Sequence, residues 1–388
     1  MKRDAKALRT GFTTGTAAAA AAKAATILLL GHEPPEVVEV PLPSSWNGAD
    51  APPRLTIPIH KCAALPYGGA LAGVVKDAGD DPDVTDGALI LAEVHLLKEE
   101  GDLSDTTLRV EVAGGAGVGR VTLPGLPVSP GLAAINPEPL RQIEYAVYEA
   151  VKASGKTVAG VIRVIVSVPD GERLAKKTMN PALGILGGIS ILGTRGTVKP
   201  FSHEAYLATV RQALDVARAT GAQEIILATG GRSERFARGL WPENPPTAFV
   251  QAGDLFAAGC EEAAQRGFAK AHWAVFFGKL AKMAQGLPST HAREGKLDLA
   301  ALVERARTAG LAGEQLDRAR ESATARGVLQ AARECPDGQS VTRRLAEALA
   351  HDAADHACRF CNFAMPVGVA VFDEQGGIVC LVEPDGMS

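Results

Sequence analysis

Segments typical of strands and helices alternate along the chain after Pro200, and this alternation restricts the fold more than any other feature. A helical pattern over residues 203–220 is followed by the apolar segment EIILA, residues 224–228, and a glycine-rich turn. Two more short apolar segments, 248–250 and 273–277, are separated by another helical pattern. Such alternation is typical of a parallel sheet whose strands are joined by helices. We therefore expect a Rossmann-like, doubly wound domain here.

The length of the chain indicates a second domain before this one. One hydrophobic core seldom serves more than about 250–300 residues, and the chain has 388. The fold predicted is α/β (α+β), with a mixed α+β domain over residues 1–198 and the Rossmann-like domain over residues 199–388. Helices are expected to fill roughly residues 297–357. Two apolar segments, 367–372 and 378–382, are expected to close the chain as a hairpin.

In the first half, the glycine cluster GGAGVG at residues 114–119 lies between the strand-like segments 108–112 and 120–123. A dinucleotide-binding fingerprint needs a helix after its glycines, so we predict a hairpin instead. A helix is expected to begin at Pro137 and to end near Gly155. An apolar segment at 161–168 follows and is predicted to be a buried strand.

The segment LRTGFTTGTAAAAAAKAA, residues 8–25, resembles a signal peptide at first sight. Glycines and threonines separate the charges of Lys2, Arg3, Lys6 and Arg9 from the apolar run, however, and Lys23 interrupts that run. Neither feature is typical of a signal peptide. A helix with Thr16 as N-cap, ending at Gly31, explains the segment better. Two interpretations remain: a well-capped core helix, or a turn that faces a ligand with a thin alanine wall behind it.

Composition excludes some partners. The net charge of −4 provides no general attraction to nucleic acid or to an anionic membrane surface, and no segment has the roughly 20 apolar residues of a membrane span. Six cysteines are too few for a disulfide framework. A single Cys-x-x-Cys at Cys358 and Cys361 is a weak zinc signal. We expect a cytoplasmic protein with no metal bound by its own side chains.

Two segments of the second half could bind an anion or simply cap turns. ATGGRSERFA, residues 228–237, follows a predicted strand, where ligands bind in open α/β sheets. FFGKLAKMAQG, residues 276–286, follows the next strand and contains Lys279 and Lys282, and His291 comes shortly after it. The alternative is a set of solvated cations on ordinary helix starts.

The acidic segment DAGDDPDVTDG, residues 77–87, contains five aspartates. Its spacing does not match the EF-hand loop. Carboxylates this close together could orient a ligand, act as acid or base groups, or cap turns.

Six segments together resemble the CbiD family, the cobalt-precorrin-5B C1-methyltransferases of anaerobic cobalamin biosynthesis. In order from residue 8 to residue 291 they are LRTGFTTGTAAAAAAKAA, VKDAGDDPDVTDG, AINPEPLRQI, NPALGILGGISILGTRGTVKP, ATGGRSE and GKLAKMAQGLPSTH. The resemblance implies methyl transfer from S-adenosyl-L-methionine, as co-substrate, to C1 of a corrinoid, with cobalt present only as part of that substrate. The alternative is a non-catalytic carrier of a corrinoid intermediate, and a homo-oligomer is compatible with both.

The resemblance also implies roles for particular residues. Asp77, Asp80 and Asp81 are the expected catalytic group, as cofactor orienters or proton acceptors. Cations at the edge of the macrocycle are expected to contact its carboxylates. The expected substrate- or cofactor-binding residues are Thr13, Thr14, Gly15, Thr16, Lys23, Gly193, Thr194, Arg195, Gly196, Thr229, Gly230, Gly231, Arg232, Ser233, Lys279 and His291.

Overall fold

The computed structural model describes residues 8–43, 53–97 and 108–384. The chain divides into two compact units, residues 1–202 (unit 1) and residues 203–388 (unit 2). Each unit has a hydrophobic core of its own, and each contains both helices and strands. The protein is therefore a mixed α/β protein. Among the helices of the described ranges, none has the length and apolar character needed to cross a membrane.

Unit 1 combines helices with many strands, several of them only two residues long. Its helices are α1 (Thr14–Leu29), α2 (Pro137–Ala153) and α3 (Gly171–Ala175). Its strands are β1 (Gly11–Phe12), β2 (Val37–Pro41), β3 (Arg54–Pro58), β4 (Lys61–Ala64), β5 (Ala70–Val75), β6 (Leu89–Leu97), β7 (Leu108–Gly114), β8 (Arg120–Val121), β9 (Gly160–Ser167), β10 (Ile185–Leu186) and β11 (Thr197–Val198). The largest sheet has the order β4-β5-β6-β9-β7 and is antiparallel except for the parallel pair β7 and β9.

Helix α1 forms where the sequence predicts it, but its cap is different. Thr13 has an extended backbone (φ −78°, ψ 165°), and its hydroxyl accepts a hydrogen bond from the Thr16 amide at 3.2 Å. Thr13 is therefore the N-cap, and the prediction of Thr16 was wrong because Thr16 already lies in the first turn. Gly31, with φ +82°, follows the C-cap Leu30 and ends the helix as expected.

The alanine row of α1 is the centre of the unit 1 core. Ala17–Ala22 and Ala24 are completely buried, and α1 packs against α2 and against strands β5 and β6. Small side chains let these elements approach closely. The alanine row is therefore not a surface that a ligand can contact, and the core-helix interpretation is correct for it.

The predicted hairpin over residues 108–123 is wrong. Strand β7 pairs in parallel with β9, whereas β8 pairs with β10. The glycine loop between them packs directly against other backbone: a Cβ on Gly117 would lie 1.8 Å from the Val168 carbonyl oxygen. The Gly115 amide donates to the carbonyl of Val166 at 2.7 Å. These glycines therefore permit close backbone packing rather than a turn between paired strands.

Unit 2 contains the alternating elements predicted from sequence. Its helices are α4 (His203–Ala219), α5 (Gly231–Leu240), α6 (Phe256–Gln265), α7 (Phe277–Met283), α8 (Leu299–Thr308), α9 (Gly313–Glu321), α10 (Ala325–Glu334) and α11 (Gly338–Phe360). Its strands are β12 (Glu224–Ala228), β13 (Phe249–Gln251), β14 (Lys270–Phe276), β15 (Val367–Phe372) and β16 (Ile378–Val382).

The unit 2 strands form one sheet of order β13-β12-β14-β15-β16. The first four are parallel, and β16 is antiparallel to β15, so the closing hairpin is confirmed. Trp273 on β14 is completely buried, in a T-shaped contact with Phe256 on α6. Because β12, β13 and β14 are parallel, the chain leaves all three at the same edge of this sheet.

Candidate functional site

Three sequence motifs of unit 1 meet around the start of α1. Strand β1 pairs with β11, and the Phe12 amide donates to the Asp77 carbonyl at 2.8 Å. The Thr13 amide donates to the Gly196 carbonyl at 3.0 Å. The GFTTGT segment, the acidic loop (residues 77–87) and the segment 190–196 are therefore brought together by backbone hydrogen bonds.

The threonine hydroxyls of this cluster bind the segment 190–196. Thr16 is completely buried and its hydroxyl donates to the Gly196 carbonyl at 2.7 Å. The hydroxyl of Thr14 accepts from the Leu192 amide at 2.9 Å, and the Gly15 amide donates to the Leu192 carbonyl at 3.1 Å. These contacts hold the segment in place, and the exposed residues Thr194 and Arg195 lie at its surface.

Gly193 lies against the cap of α1. Its φ is +137°, and a Cβ there would lie 2.4 Å from the Thr13 side chain. Gly196, with φ +75°, is buried next to Thr16. Both glycines are required by the close packing of this segment on the helix start.

Each of the carboxylates Asp77, Asp80 and Asp81 binds a different group. Asp77 forms an ion pair with Arg9, and this contact, with the Gly79 amide, keeps the pKa of Asp77 below its usual value. Asp80 accepts from the Arg9 amide at 2.6 Å. Asp81 accepts from the amide of Phe201 at 2.9 Å. The three predicted catalytic residues thus lie on one loop, next to the start of α1.

Lys76, which the sequence analysis did not select, binds this loop through an ion pair with Asp83. Its side chain is 1% exposed and its ammonium lies 2.7 Å from Asp83. Burial opposes ionisation of Asp83, but the charge of Lys76 and hydrogen bonds from Lys76 and Thr85 lower its pKa overall. The sequence signal was available: a lysine at the end of a strand, directly before a run of aspartates.

Lys23 is separate from this cluster. It lies farther along α1, where its ammonium pairs with Glu149 and donates to the Glu39 carbonyl at 2.8 Å. Arg54 binds the same carboxylate of Glu149 at 2.7 Å. These contacts fasten α1 to its neighbours within unit 1.

The second cluster lies at the carboxyl edge of the unit 2 sheet. The ammonium of Lys279 donates to the Thr229 carbonyl at 2.9 Å and lies 3.1 Å from Asp254 Oδ1. The hydroxyl of Thr290 donates to the same oxygen at 2.5 Å. Lys279 therefore links the loops that follow β12 and β13.

Asp254 was missed in the sequence analysis. Burial opposes its ionisation, but the hydrogen bonds from Thr290 and Lys279 lower its pKa overall, so that it is charged at neutral pH. The signal that could have found it is its position: Asp254 lies three residues beyond the end of β13, directly after Gly253.

The start of α5 presents backbone rather than a capping side chain. The N-cap Gly230 is extended, and no side chain caps the helix. Ser233 is buried and donates to the Gly230 carbonyl at 2.9 Å, and its hydroxyl also lies 3.2 Å from that of Thr229. A Cβ on Gly230 would meet nothing within 4 Å. Amides of an uncapped helix start attract negative charge.

Arg232 and His291 lie at this edge and contact different groups. The guanidinium of Arg232 donates to the Glu374 carbonyl at 2.7 Å and lies over the Phe276 ring, 5.1 Å from its centroid. The ring of His291 is in a T-shaped contact with His203 at 6.3 Å. Lys282 donates to the His291 carbonyl at 3.1 Å and so fixes the loop rather than facing outward.

The described residues contain no group of three or more His, Cys, Asp or Glu side chains placed to hold a metal ion. The cysteines in the described ranges are free thiols.

Comparison with known proteins places the chain in a family. The family model for CbiD matches residues 1–200, and the model for the CbiD C-terminal domain matches residues 289–383. The chain belongs to the CbiD family. A protein of Nitratidesulfovibrio vulgaris named cobalt-precorrin-5B C(1)-methyltransferase is 46% identical over 96% of this chain and 92% of its own length.

Two further relatives match most of the chain. The cobalt-precorrin-5B C(1)-methyltransferase of Thermus thermophilus is 45% identical over 86% of this chain and 84% of its own length. The crystal structure of the cobalamin biosynthesis protein CbiD from Archaeoglobus fulgidus is 30% identical, covering 72% of this chain and 80% of that one, with a TM-score of 0.38. The two family models and the two named relatives confirm the resemblance to the CbiD family found in the sequence.

Proposed function

We propose that the protein is an S-adenosylmethionine-dependent methyltransferase that methylates C1 of cobalt-precorrin-5B to give cobalt-precorrin-6A in anaerobic cobalamin biosynthesis. The observation that carries this proposal is the 46% identity, over 96% of the chain, to a relative named for this reaction. The cobalt belongs to the substrate. The reaction takes place in the cytoplasm and involves neither nucleic acid nor membrane.

The topology of unit 2 supports a ligand-binding role. Its parallel strands follow the order of a doubly wound sheet, and we assign it as a Rossmann-like domain on that ground. In such sheets ligands bind beyond the carboxyl ends of the strands. Thr229, Gly230, Asp254 and Lys279 lie at that edge.

The charges at the same edge suit a corrinoid, whose rim carries carboxylates. Arg232 and Lys279 are partly exposed cations whose positions are fixed by carbonyl groups. A guanidinium can bind a carboxylate through two parallel hydrogen bonds. We assign these two residues, with His291, to the rim of the macrocycle, whereas Lys23 has its structural partner in Glu149.

Methyl transfer depends mainly on positioning. The carbon nucleophile, the methyl group and the departing sulfur must lie in line, and holding them so removes much of the barrier. Positive charge disappears from sulfur as the bond to carbon forms. Carboxylates in contact with the sulfur would therefore stabilise the ground state more than the transition state, which favours an orienting role for Asp77, Asp80 and Asp81.

The proposal is tested by incubating the purified protein with cobalt-precorrin-5B and S-adenosylmethionine. We expect a corrinoid product heavier by one methyl group in place of one hydrogen, together with an equal amount of S-adenosylhomocysteine, both measured by mass spectrometry. A titration of S-adenosylhomocysteine followed by calorimetry provides the second measurement. Tight corrinoid binding without methyl transfer, and without heat from S-adenosylhomocysteine, would identify a carrier and refute the proposal.

A further inference from the structure

The direction in which strands are added to the unit 2 sheet reverses after β13. After β12 the chain moves to one side to form β13, and after β13 it returns to the other side of β12 to form β14. Loops leaving neighbouring strands toward opposite sides open a gap at the carboxyl edge, which is where open α/β sheets bind ligands. The chain leaves β12 at Thr229, and β14 passes directly into α7 at Phe277.

Two glycines leave the backbone accessible at this gap. A Cβ on Gly230 or on Gly278 would find open space within 4 Å. The neighbouring glycine, Gly231, would meet only the Gln251 side chain, at 3.7 Å. The turn after β12 therefore carries no side chain that keeps a ligand from the backbone.

A carboxylate, Asp254, follows the next strand, β13. Asp254 comes 24 residues after Gly230, and in nucleotide-binding βαβ units an acidic residue about 20 residues beyond the glycines accepts the ribose hydroxyls. The amides of Ala252 and Gly253 both donate to the Ala228 carbonyl, at 2.9 and 3.1 Å. Asp254 is therefore held beside the glycine turn.

The carboxylate of Asp254 is bound on one side only. Thr290 and Lys279 both contact Oδ1, at 2.5 and 3.1 Å. From the residues that the structure describes, Oδ2 accepts no hydrogen bond, and the side chain is 31% exposed. One oxygen thus fixes the orientation while the other remains available as an acceptor.

We propose that unit 2 binds the adenosyl group of the methyl donor at this gap, with Asp254 Oδ2 accepting hydrogen bonds from the ribose hydroxyls and the Gly230-Gly231 turn admitting the ligand to the backbone. This inference rests on the proposed function, since it takes S-adenosylmethionine as the donor. Thr290 and Lys279 are then positioning residues that hold the Asp254 carboxylate.

The test compares two ligands on two proteins. The ligands are S-adenosylhomocysteine and an analogue that lacks both ribose hydroxyls; the proteins are the wild type and Asp254→Asn. Hydrogen bonds to a charged group predict that either change alone raises the dissociation constant about tenfold to a hundredfold. Because both changes remove the same contact, Asp254→Asn should bind the analogue no more weakly than it binds S-adenosylhomocysteine.

Asp317→Asn is the matched control, because Asp317 is an exposed carboxylate of the same unit paired with Arg320 at 2.8 Å. It should leave both dissociation constants unchanged. The far-ultraviolet circular dichroism spectrum of Asp254→Asn should match that of the wild type, which a general loss of structure would not allow.

The outcomes separate the two proposals. If the wild type binds S-adenosylhomocysteine and the analogue equally well, the ribose assignment is wrong while the proposed function stands, and this comparison needs no variant to fold. The same conclusion follows if Asp254→Asn binds the analogue more weakly than it binds S-adenosylhomocysteine, because the two changes would then remove different contacts. If the wild type neither binds S-adenosylhomocysteine nor transfers a methyl group, the proposed function itself fails.

Discussion

The ammonium of Lys76 and the carboxylate of Asp83 form an ion pair of 2.7 Å beneath the acidic loop, with the Lys76 side chain almost completely buried. Asp83 also accepts hydrogen bonds from the amide and hydroxyl of Thr85, both at 2.7 Å. The loop closes around this pair: the Gly87 amide donates to the Lys76 carbonyl at 2.9 Å. The position of the predicted catalytic aspartates thus depends on a buried charge.

Asp83→Asn should destabilise the protein strongly, because it leaves the buried ammonium of Lys76 without a counter-charge. Removing one partner of a buried pair typically costs about 3–5 kcal/mol. Lys76→Met should cost less, since Asp83 is 27% exposed and can be hydrated. Urea unfolding at pH 7 measures both, with Glu138→Gln, which breaks the surface pair with Arg141, as a control expected to cost no more than about 1 kcal/mol. Equal costs for all three variants would contradict the prediction.

Thr16→Val and Thr13→Ala should each destabilise unit 1 by about 1 kcal/mol, for different reasons. Thr13→Ala removes the N-cap of α1. Thr16→Val keeps the shape but removes the hydrogen bond to the Gly196 carbonyl, which still accepts from the Thr13 amide, so the cost stays near that of one hydrogen bond. Thermal unfolding followed by circular dichroism measures both, and the control is Thr209→Ala within α4, where the Thr209 hydroxyl donates to the Ala205 carbonyl of the preceding turn. A larger loss from the control than from Thr13→Ala would refute the cap assignment.

The sequence predicts where the helices and strands of this fold lie better than it predicts which of them pack or pair with each other. Periodicity is local, so it located α1, α2 and the strands of unit 2. It did not reveal that β7 pairs with β9, since that pairing joins segments far apart in the chain. It also did not identify the cap among three nearby threonines, because the choice depends on the extended backbone of Thr13.

The candidate site shows the same limit. The sequence indicated which segments carry unusual residues, but their convergence depends on contacts such as that of Phe12 with Asp77. Lys76 and Asp254 were missed because residue type predicts a lysine or an aspartate to be solvated. Only the partners of these side chains distinguish them from ordinary surface charges.

Gly11→Ala should disrupt the contact between the start of α1 and the acidic loop. A Cβ at this position would lie 2.2 Å from the backbone carbon of Ala78 and 2.3 Å from the Asp77 carbonyl oxygen. Backbone on both sides must move apart, so we expect methyl transfer to fall at least tenfold and the melting temperature to fall as well. Gly239→Ala is the matched control: a Cβ there meets nothing within 4 Å, and alanine favours helix α5. Normal activity of Gly11→Ala would show that the contact is dispensable.

His272 should make the protein less stable in mild acid. Its ring is buried against Trp241, at 4.5 Å between ring centroids, and neither ring nitrogen has a partner among the described residues. Burial, with the nearby charge of Lys270, lowers the pKa of His272 to about 4. The unfolded chain therefore takes up a proton below about pH 6.5 while the folded protein does not.

The free energy of unfolding should thus fall by about 2–3 kcal/mol between pH 6.5 and pH 4 through this residue alone. His272→Phe, which keeps an aromatic ring against Trp241, should remove that part of the pH dependence whatever its effect at pH 7. Urea unfolding at half-unit pH steps measures the slope. An unchanged slope in the variant would mean that His272 is protonated in the folded state.

Arg232→Ala should weaken corrinoid binding more than cofactor binding. The guanidinium is fixed over Phe276 by the Glu374 carbonyl, so it is preorganised for a carboxylate at the edge of the unit 2 sheet. Losing one charge-assisted contact predicts a corrinoid dissociation constant about tenfold higher, whereas that of S-adenosylhomocysteine should change less than twofold. Arg326→Ala, which removes an exposed arginine paired with Glu374, is the control. Equal weakening of both ligands by Arg232→Ala would place this residue at the cofactor or in the structure of the edge, and would remove it from the rim of the macrocycle.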